Sequence, residues 1–222
     1  MQRGCDWNGG RMTCQGVPPG SHRLRLTPDA MTFVLELLQK RHEVAGAMAI
    51  DFATNTMNIL QHGMSKGKRD NVGIPKGAIL PWHSHPGKCP PRGADCALDV
   101  PSDADIALVI QDCMRSSHEH WVFAHTGTFT VSLTPELRAR LGSLPPQRRR
   151  AEERRIERVF AQAHKTFERR LQAKTTDLDR FRPEWIAMAR REGFRVNFFP
   201  AGSMPETTLV VEGAVAARGE HF

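Results

Sequence analysis

The sequence predicts an α/β (α+β) domain in which one mixed β-sheet is flanked by helices. Segments with apolar residues at helical spacing alternate along the chain with short, mostly apolar runs of strand length. One helical segment is much longer than the others and rich in basic residues, which indicates a long basic helical extension. The chain has 222 residues, enough for one sizeable domain with an appended element.

Capping residues mark where the predicted helices begin. Thr27-Pro28-Asp29 combines a capping hydroxyl, a proline at the first helical position and an acid in the first turn. Ser102 caps a later helix, with acids in its first turn. The predicted helices occupy residues 28–41, a segment after Ser102, a short segment from Pro135, a long segment after Leu144-Pro145-Pro146, and a segment from Arg182-Pro183-Glu184 to about Glu192. The predicted strands occupy residues 43–51, 57–64, 78–85, 121–124, 128–133, 194–199 and 207–211.

The net charge of +7 is concentrated in one segment. Residues 148–174 contain ten Lys/Arg and four Glu, and this stretch alone carries +6. It reads as an amphipathic helix with a basic outer face. Such a face is either simply solvated or a contact surface for an acidic partner, and nucleic acid is one possible partner. No aromatic residues alternate with the arginines, so a stacking platform for single strands is not supported.

Cysteine usage and hydropathy favour an intracellular, cytoplasmic protein. The chain has five cysteines, which we expect to be free thiols, with Cys5 and Cys14 in a flexible Gly-rich leader. No stretch approaches the roughly 18–20 apolar residues of a membrane span. The first residues lack the apolar core of a secretory signal, so we expect neither a signal peptide nor a transmembrane segment.

The chemistry-bearing segments are His83-Ser84-His85-Pro86 and Ser102-Asp103-Ala104-Asp105. Successive side chains of a strand point to opposite faces, so His83 and His85 lie on the same face and can reach one metal ion. Asp105, in the first turn of the next helix, is a natural third ligand. Two imidazoles, one carboxylate and an open fourth position for water form a catalytic zinc arrangement.

Two further residues supply the remaining parts of metal-assisted amide hydrolysis. Glu43 opens a predicted strand and lies near the histidines if that strand is adjacent to theirs. It would take a proton from the zinc-bound water and pass it to the leaving amine. Ser102 lies one helical turn from Asp105 and can donate a hydrogen bond to the developing oxyanion.

These residues together resemble the JAMM motif of the MPN (JAB) metalloprotease superfamily. The matching segments are Glu43-Val44-Ala45-Gly46, His83-Ser84-His85-Pro86 and Pro101-Ser102-Asp103-Ala104-Asp105-Ile106. The residues of the last segment are more similar to prokaryotic JAB and RadC members than to the eukaryotic proteasome subunit. The resemblance implies a cytidine deaminase-like sheet flanked by helices and zinc-dependent cleavage of peptide or isopeptide bonds, often after ubiquitin or a ubiquitin-like protein. It places His83, His85 and Asp105 on zinc, Glu43 on the catalytic water and Ser102 on the oxyanion.

The resemblance also suggests how the chain is divided. We expect a flexible leader over residues 1–23, a JAB/MPN catalytic core over 24–142, a helical insertion over 143–193, and closing strands with a tail over 194–222. This sequence departs from the family pattern in that basic insertion and in a longer interval between His85 and Asp105.

The longer interval places residues 86–101, with Cys89 and Cys96, in a loop over the site. This loop is a possible substrate loop, a lid, or half of a second zinc site. A second, structural zinc would need two more ligands, for which His118 and His120 are only nominal candidates, so we expect one catalytic zinc. With His125, these two histidines are otherwise expected to face solvent or to lie around the ligands.

Three functions stay open at this point. The first is a deubiquitinase-like metallopeptidase, which predicts loss of cleavage when Glu43 is replaced. The second is an MPN-fold binding or scaffold module, RadC-like and associated with nucleic acid through the basic helix. The third uses the same chemistry on a small amide or a sulfur-carrier protein precursor.

Overall fold

The fold is a mixed α/β arrangement, as the sequence predicts. The computed structural model describes residues 5–8, 11–40, 42–61, 63–67, 72–73, 77–86, 99–115 and 117–212. The helices are α1 (Pro28–Leu38), α2 (Asp103–Cys113), α3 (Pro135–Ser143), α4 (Pro146–Gln172) and α5 (Leu178–Arg191). The strands are β1 (Cys5–Asn8), β2 (Arg11–Cys14), β3 (Gly20–Leu26), β4 (Val44–Asp51), β5 (Thr56–Ile59), β6 (Ser65–Lys66), β7 (Pro81–Ser84), β8 (His120–Ala124), β9 (Gly127–Leu133), β10 (Phe194–Pro200) and β11 (Glu206–Glu212).

All these strands belong to one mixed sheet. Within the described residues its order is β1-β2-β11-β3-β5-β4-β7-β8-β9-β10, with β6 beside β4. Three neighbouring pairs are parallel, namely β2 with β11, β3 with β5, and β7 with β8. The other pairs are antiparallel. The predicted mixed sheet flanked by helices is therefore confirmed.

Two apolar cores lie on opposite faces of the sheet. On one face α1 packs against a core that contains Trp82 and Trp121. On the other face α2, α4 and α5 pack against Val122, Phe129 and Val131. Each large side chain buried there stabilises the fold by roughly 1.5–3 kcal/mol relative to exposure. The helices thus cover both faces of the sheet.

The position of α2 follows from the pairing of β7 with β8. Parallel neighbours cannot be joined by a hairpin, so the chain must cross one face of the sheet between them. Helix α2 makes this crossover and begins near the carboxyl end of β7. Ser102 caps it, because its hydroxyl accepts from the Asp105 amide at 3.1 Å while its own amide donates to an Asp105 carboxylate oxygen at 2.7 Å.

The prediction of a flexible leader over residues 1–23 is wrong for the part of it that the structure describes. Strands β1 and β2 form a hairpin, and β3 lies between β11 and β5. Met12, Cys14 and Leu24 are buried. Strands β2 and β3 pair with β11, which lies far along the chain, so no local sequence pattern predicts this pairing. Glycine and proline content suggested disorder instead.

The prediction of free thiols throughout is also wrong for two cysteines. Cys5 and Cys14 are opposite each other in the register of β1 and β2 and form a disulfide. Cys113 is a free, buried thiol, as the sequence suggests, and burial raises its pKa to about 12. Such a thiol is inert.

The helical segment between β9 and β10 differs from its prediction at two points. Helix α5 begins at Leu178 rather than at Arg182, because the Asp177 side chain caps it by accepting from the Arg180 amide at 2.9 Å. Pro183 therefore lies inside the helix. Helix α4 buries His164 together with the expected apolar stripe. No helix in the described part of the chain is both long and apolar enough to cross a membrane.

Gly46 allows β4 to lie close to β7. It is directly opposite Trp82 in the strand register, and a Cβ atom built on Gly46 would lie 2.7 Å from Cζ2 of that ring. Trp82 is fully buried, so its ring cannot move into solvent. The residue type at this position is set by packing.

We predict that Gly46→Ala lowers the free energy of unfolding by about 1–3 kcal/mol through overpacking. Gly142→Ala is the matched control. Gly142 is exposed on α3, and a Cβ there would lie 3.9 Å from the Met114 methyl, which is an ordinary contact distance. Helix propensity predicts that this control is neutral or stabilising. Urea unfolding of both variants measures the difference, and equal stabilities would contradict the packing explanation.

Glu119 is a buried carboxyl group that joins three strands. The Trp121 indole donates to its Oε1 at 2.9 Å, and the hydroxyls of Thr130 and Thr207 are further hydrogen-bond partners. Burial raises the pKa of Glu119 from 4.5 to about 7, although these hydrogen bonds oppose the rise. The folded state therefore holds this proton over a pH range in which the unfolded chain has lost it.

We predict that Glu119 makes the protein less stable as the pH rises from about 4.5 to about 7. Its stabilising contribution is complete below the unfolded pKa and is lost as the pH passes the folded pKa. Glu119→Gln removes this dependence, so its stability relative to wild type should rise by up to about 3 kcal/mol across that window. Urea unfolding from pH 4 to pH 8 measures this difference, and a difference that is flat with pH would refute it.

Candidate metal centre

Three buried side chains converge where β7 ends and α2 begins. His83 is the third residue of β7, and His85 follows the strand directly. Their side chains share the sheet face that α2 covers. Asp105 comes from the first turn of α2. All three are buried, with 1%, 4% and 7% of their surface exposed. The structure thus brings together the three residues that the sequence predicts as ligands.

The distances among the three side chains suit a shared ion. His83 Nε2 lies 2.9 Å from His85 Nε2 and 3.0 Å from Asp105 Oδ1, and His85 Nε2 lies 3.2 Å from Asp105 Oδ2. Tetrahedral ligands about 2.0–2.1 Å from one metal ion are roughly 3.3 Å apart. The three donors form a triangle of nearly this size, so the group could hold a metal ion. Imidazole with carboxylate suits several first-row divalent ions.

The Asp105 carboxylate is held in its ionised form. Burial alone would raise its pKa, but the charge and hydrogen bonds of His83 and His85 outweigh burial and keep that pKa well below the usual range. The Ser102 amide donates to Oδ2 and fixes the carboxylate orientation. A deprotonated oxygen ligand is therefore ready at the site. The start of α2 also presents the positive end of the helix dipole to negative charge.

The two other predicted site residues lie on different elements. Ser102 is the capping residue of α2, and Glu43 directly precedes β4. The Ser102 oxygen accepts from the Asp105 amide, which leaves its proton to be donated elsewhere. Glu43 is buried and directly precedes β4, which pairs with β7. Ala45 is opposite His83, and continuing this register by two residues pairs Glu43 with His85. Glu43 therefore belongs to the same sheet face as the ligands.

His120 contacts the predicted ligand His83 directly, whereas the sequence left open whether His120 faces solvent, lies around the ligands or binds a second zinc. Its Nε2 lies 2.8 Å from Nδ1 of His83, and both rings are almost fully buried. Burial, together with the neighbouring His83, lowers the pKa of His120 to about 3, so the ring is neutral. The parallel register explains the contact, because Val122 is opposite His83 and His120 is two residues earlier on the same face. The predicted strand began at Trp121 and so left His120 outside it.

His164 reaches the site from the helical extension. Its Nδ1 lies 3.9 Å from an Asp103 carboxylate oxygen in the first turn of α2. Burial lowers its pKa, while the charges of Asp103 and Asp105 partly offset that effect. Helix α4 thus forms a wall beside the metal centre. The sequence signal for this contact is a polar residue next to the apolar stripe of α4, and the sequence analysis does not single it out.

Four further residues were considered for the site from the sequence. Two of them, Cys89 and Cys96, lie outside the described residues. His118 and His125 are half-buried and are not members of the described ligand group. No protein-family model, no curated protein and no solved structure matches this chain. Function has to be inferred from the geometry of the site.

We predict that the purified protein binds close to one equivalent of a divalent transition metal, and that His85→Ala or Asp105→Asn abolishes this binding. An ion that binds only the folded state stabilises it, so a chelator should lower the melting temperature of the wild type. The chelator should leave the melting temperature of either variant unchanged.

The control is His22→Ala, because this half-buried ring lies on β3 outside the ligand group, with its Nε2 2.9 Å from the Pro18 carbonyl. The metal content of this variant, and the fall in its melting temperature on adding a chelator, should match those of the wild type. Full metal content in His85→Ala would show that the ion is held elsewhere.

Proposed function

We propose that the protein is a zinc-dependent metallopeptidase of the JAMM type that hydrolyses a peptide or isopeptide bond. The observation that carries the proposal is the convergence of His83, His85 and Asp105 beside Ser102, with Glu43 at the start of the adjacent strand. The covering of one sheet by α1 on one face and α2 on the other supports an MPN-type fold. The order of these residues along the chain supports the same assignment.

Zinc is the ion we propose for this site. Two imidazole nitrogens and one carboxylate oxygen are the ligand types of catalytic zinc centres, which keep one position open. Zinc, when bound, polarises the substrate carbonyl as a Lewis acid and makes water acidic enough to be deprotonated near neutral pH. His83, His85 and Asp105 would hold it.

The chain's own residues account for the proton transfers. Glu43 accepts a proton from the attacking water and gives it to the leaving amine, which otherwise departs as a poor, anionic leaving group. Ser102 donates a hydrogen bond from its hydroxyl to the oxyanion that develops on the carbonyl oxygen. The first turn of α2 adds a favourable field for this negative charge. Each role falls on a residue that lies on the site face or at the start of α2.

Ubiquitin or a ubiquitin-like protein is the proposed substrate class, since an isopeptide bond joins a protein carboxyl terminus to an amine. A carrier protein precursor or a small amide would use the same residues. The basic face of α4 suits an acidic surface on a protein substrate.

A binding or scaffold role is the second candidate, because the outer face of α4 carries unneutralised charge. Among the described residues, seven exposed or half-exposed basic side chains on this helix form no ion pair. They are Arg148, Arg149, Arg150, Arg154, Arg158, Lys165 and Arg169. Nucleic-acid binding through this face would weaken steeply with salt and would survive replacement of Glu43.

We predict that Glu43→Gln lowers kcat on ubiquitin-like isopeptide substrates by about 10²–10⁴-fold, because it removes the proton acceptor. Metal content should stay at the wild-type level, since Glu43 is not among the ligands. Glu36→Gln is the control, because Glu36 is exposed on α1. Initial rates over a substrate panel, with metal content measured on the same samples, make the test. Equal cleavage by Glu43→Gln and wild type would reject the mechanism.

A further inference from the structure

We propose that His120 is a positioning residue that fixes the His83 ring for metal binding by accepting a hydrogen bond from Nδ1 of His83. The inference rests on the proposed metal centre but on none of the proposed hydrolytic steps. Its basis is geometric, namely the 2.8 Å contact between two rings that are each at least 99% buried. The sequence left His120 with three places, namely facing solvent, around the ligands, or as a nominal ligand of a second zinc.

His120 does not belong to the ligand group itself. Its Nε2 lies against Nδ1 of His83, whereas the three ligand atoms meet on the Nε2 side of that ring. A neutral imidazole has one donor nitrogen and one acceptor nitrogen. If Nε2 of His83 gives its lone pair to a metal ion, the ring proton must sit on Nδ1. The His83 N–H then donates, and Nε2 of His120 must accept.

The same argument fixes the tautomer of the His120 ring. With Nε2 of His120 acting as acceptor, the proton of that neutral ring lies on Nδ1. This Nδ1 is buried and has no hydrogen-bond partner among the described residues. A buried donor without a partner costs free energy. Orientation of the His83 ring by the other nitrogen of His120 compensates for this cost.

An imidazole acceptor differs from the usual partner of a metal-bound histidine. Most such histidines donate to a carboxylate, a backbone carbonyl or water, which sets the tautomer and raises the basicity of the ligand. His120 sets the tautomer without adding a negative charge to the site. Asp105 therefore remains the anionic member of the described ligand cluster.

The test compares three variants that separate hydrogen bonding from packing. His120→Leu keeps the bulk and removes the acceptor, whereas the amide oxygen of His120→Gln can still accept from His83. Val131→Ala is the matched packing control, because Val131 is opposite His120 on β9 and is fully buried. Two quantities are measured for each variant: the zinc dissociation constant by competition with a chromophoric chelator, and the visible spectrum of the cobalt-substituted protein.

We expect His120→Leu to weaken zinc binding by about 10–100-fold and to alter the cobalt spectrum. His120→Gln should recover most of the affinity and the wild-type spectrum. Val131→Ala should lower the melting temperature of the metal-free protein and leave both metal readouts unchanged.

Three results would overturn the inference. Wild-type affinity and spectrum in His120→Leu would show that the hydrogen bond does not orient the ligand. Equal losses in His120→Leu and Val131→Ala would assign the effect to packing. A wild type that binds no metal would remove the metal centre and this inference together, whereas metal binding without peptide cleavage would count against the proposed function alone.

Discussion

The candidate metal centre depends on the parallel pairing of β7 with β8. Because this pairing requires a crossover, α2 must run back across one face of the sheet and start at the end where β7 finishes. His83 and His85 at that end of β7 thereby meet Ser102 and Asp105 at the start of α2. The same register places His120 diagonally beside His83. One backbone constraint therefore sets the ligands and their neighbour at once, on rigid elements rather than on loops.

Burying this many polar groups is costly unless they satisfy one another. The Asp105 carboxylate interacts with two imidazoles and with the Ser102 amide, so its charge is not left isolated. Apolar residues of similar volume would stabilise this region at least as well. A cluster of this kind is therefore better explained by chemistry than by folding, and its atoms are those that an ion would share.

Local signals predicted more of this structure than distant ones. Caps at Thr27 and Ser102, and the alternation of His83 with His85, depend on residues close in sequence, and the structure bears out these elements. The strands before Leu26 depend on β11, nearly two hundred residues away, so composition misled the prediction. His120 depends on strand register, which a single sequence does not specify. Asp177 was overlooked because Pro183 appeared to start the helix.

The long helix α4 lies between the sites of two proposed activities. Its buried side is next to the candidate metal centre, and its basic side is the proposed surface for an acidic partner. Its buried side carries His164, whose Nδ1 lies 3.9 Å from an Asp103 carboxylate oxygen beside the candidate metal centre, whereas five of its arginines are exposed. A helix with side chains is about 10–12 Å across, whereas the Debye length at physiological salt is about 8 Å. Charges on the outer face are therefore largely screened at the candidate site. In the proposed function they would act on the surface of an acidic partner that extends past the site, rather than on bond cleavage.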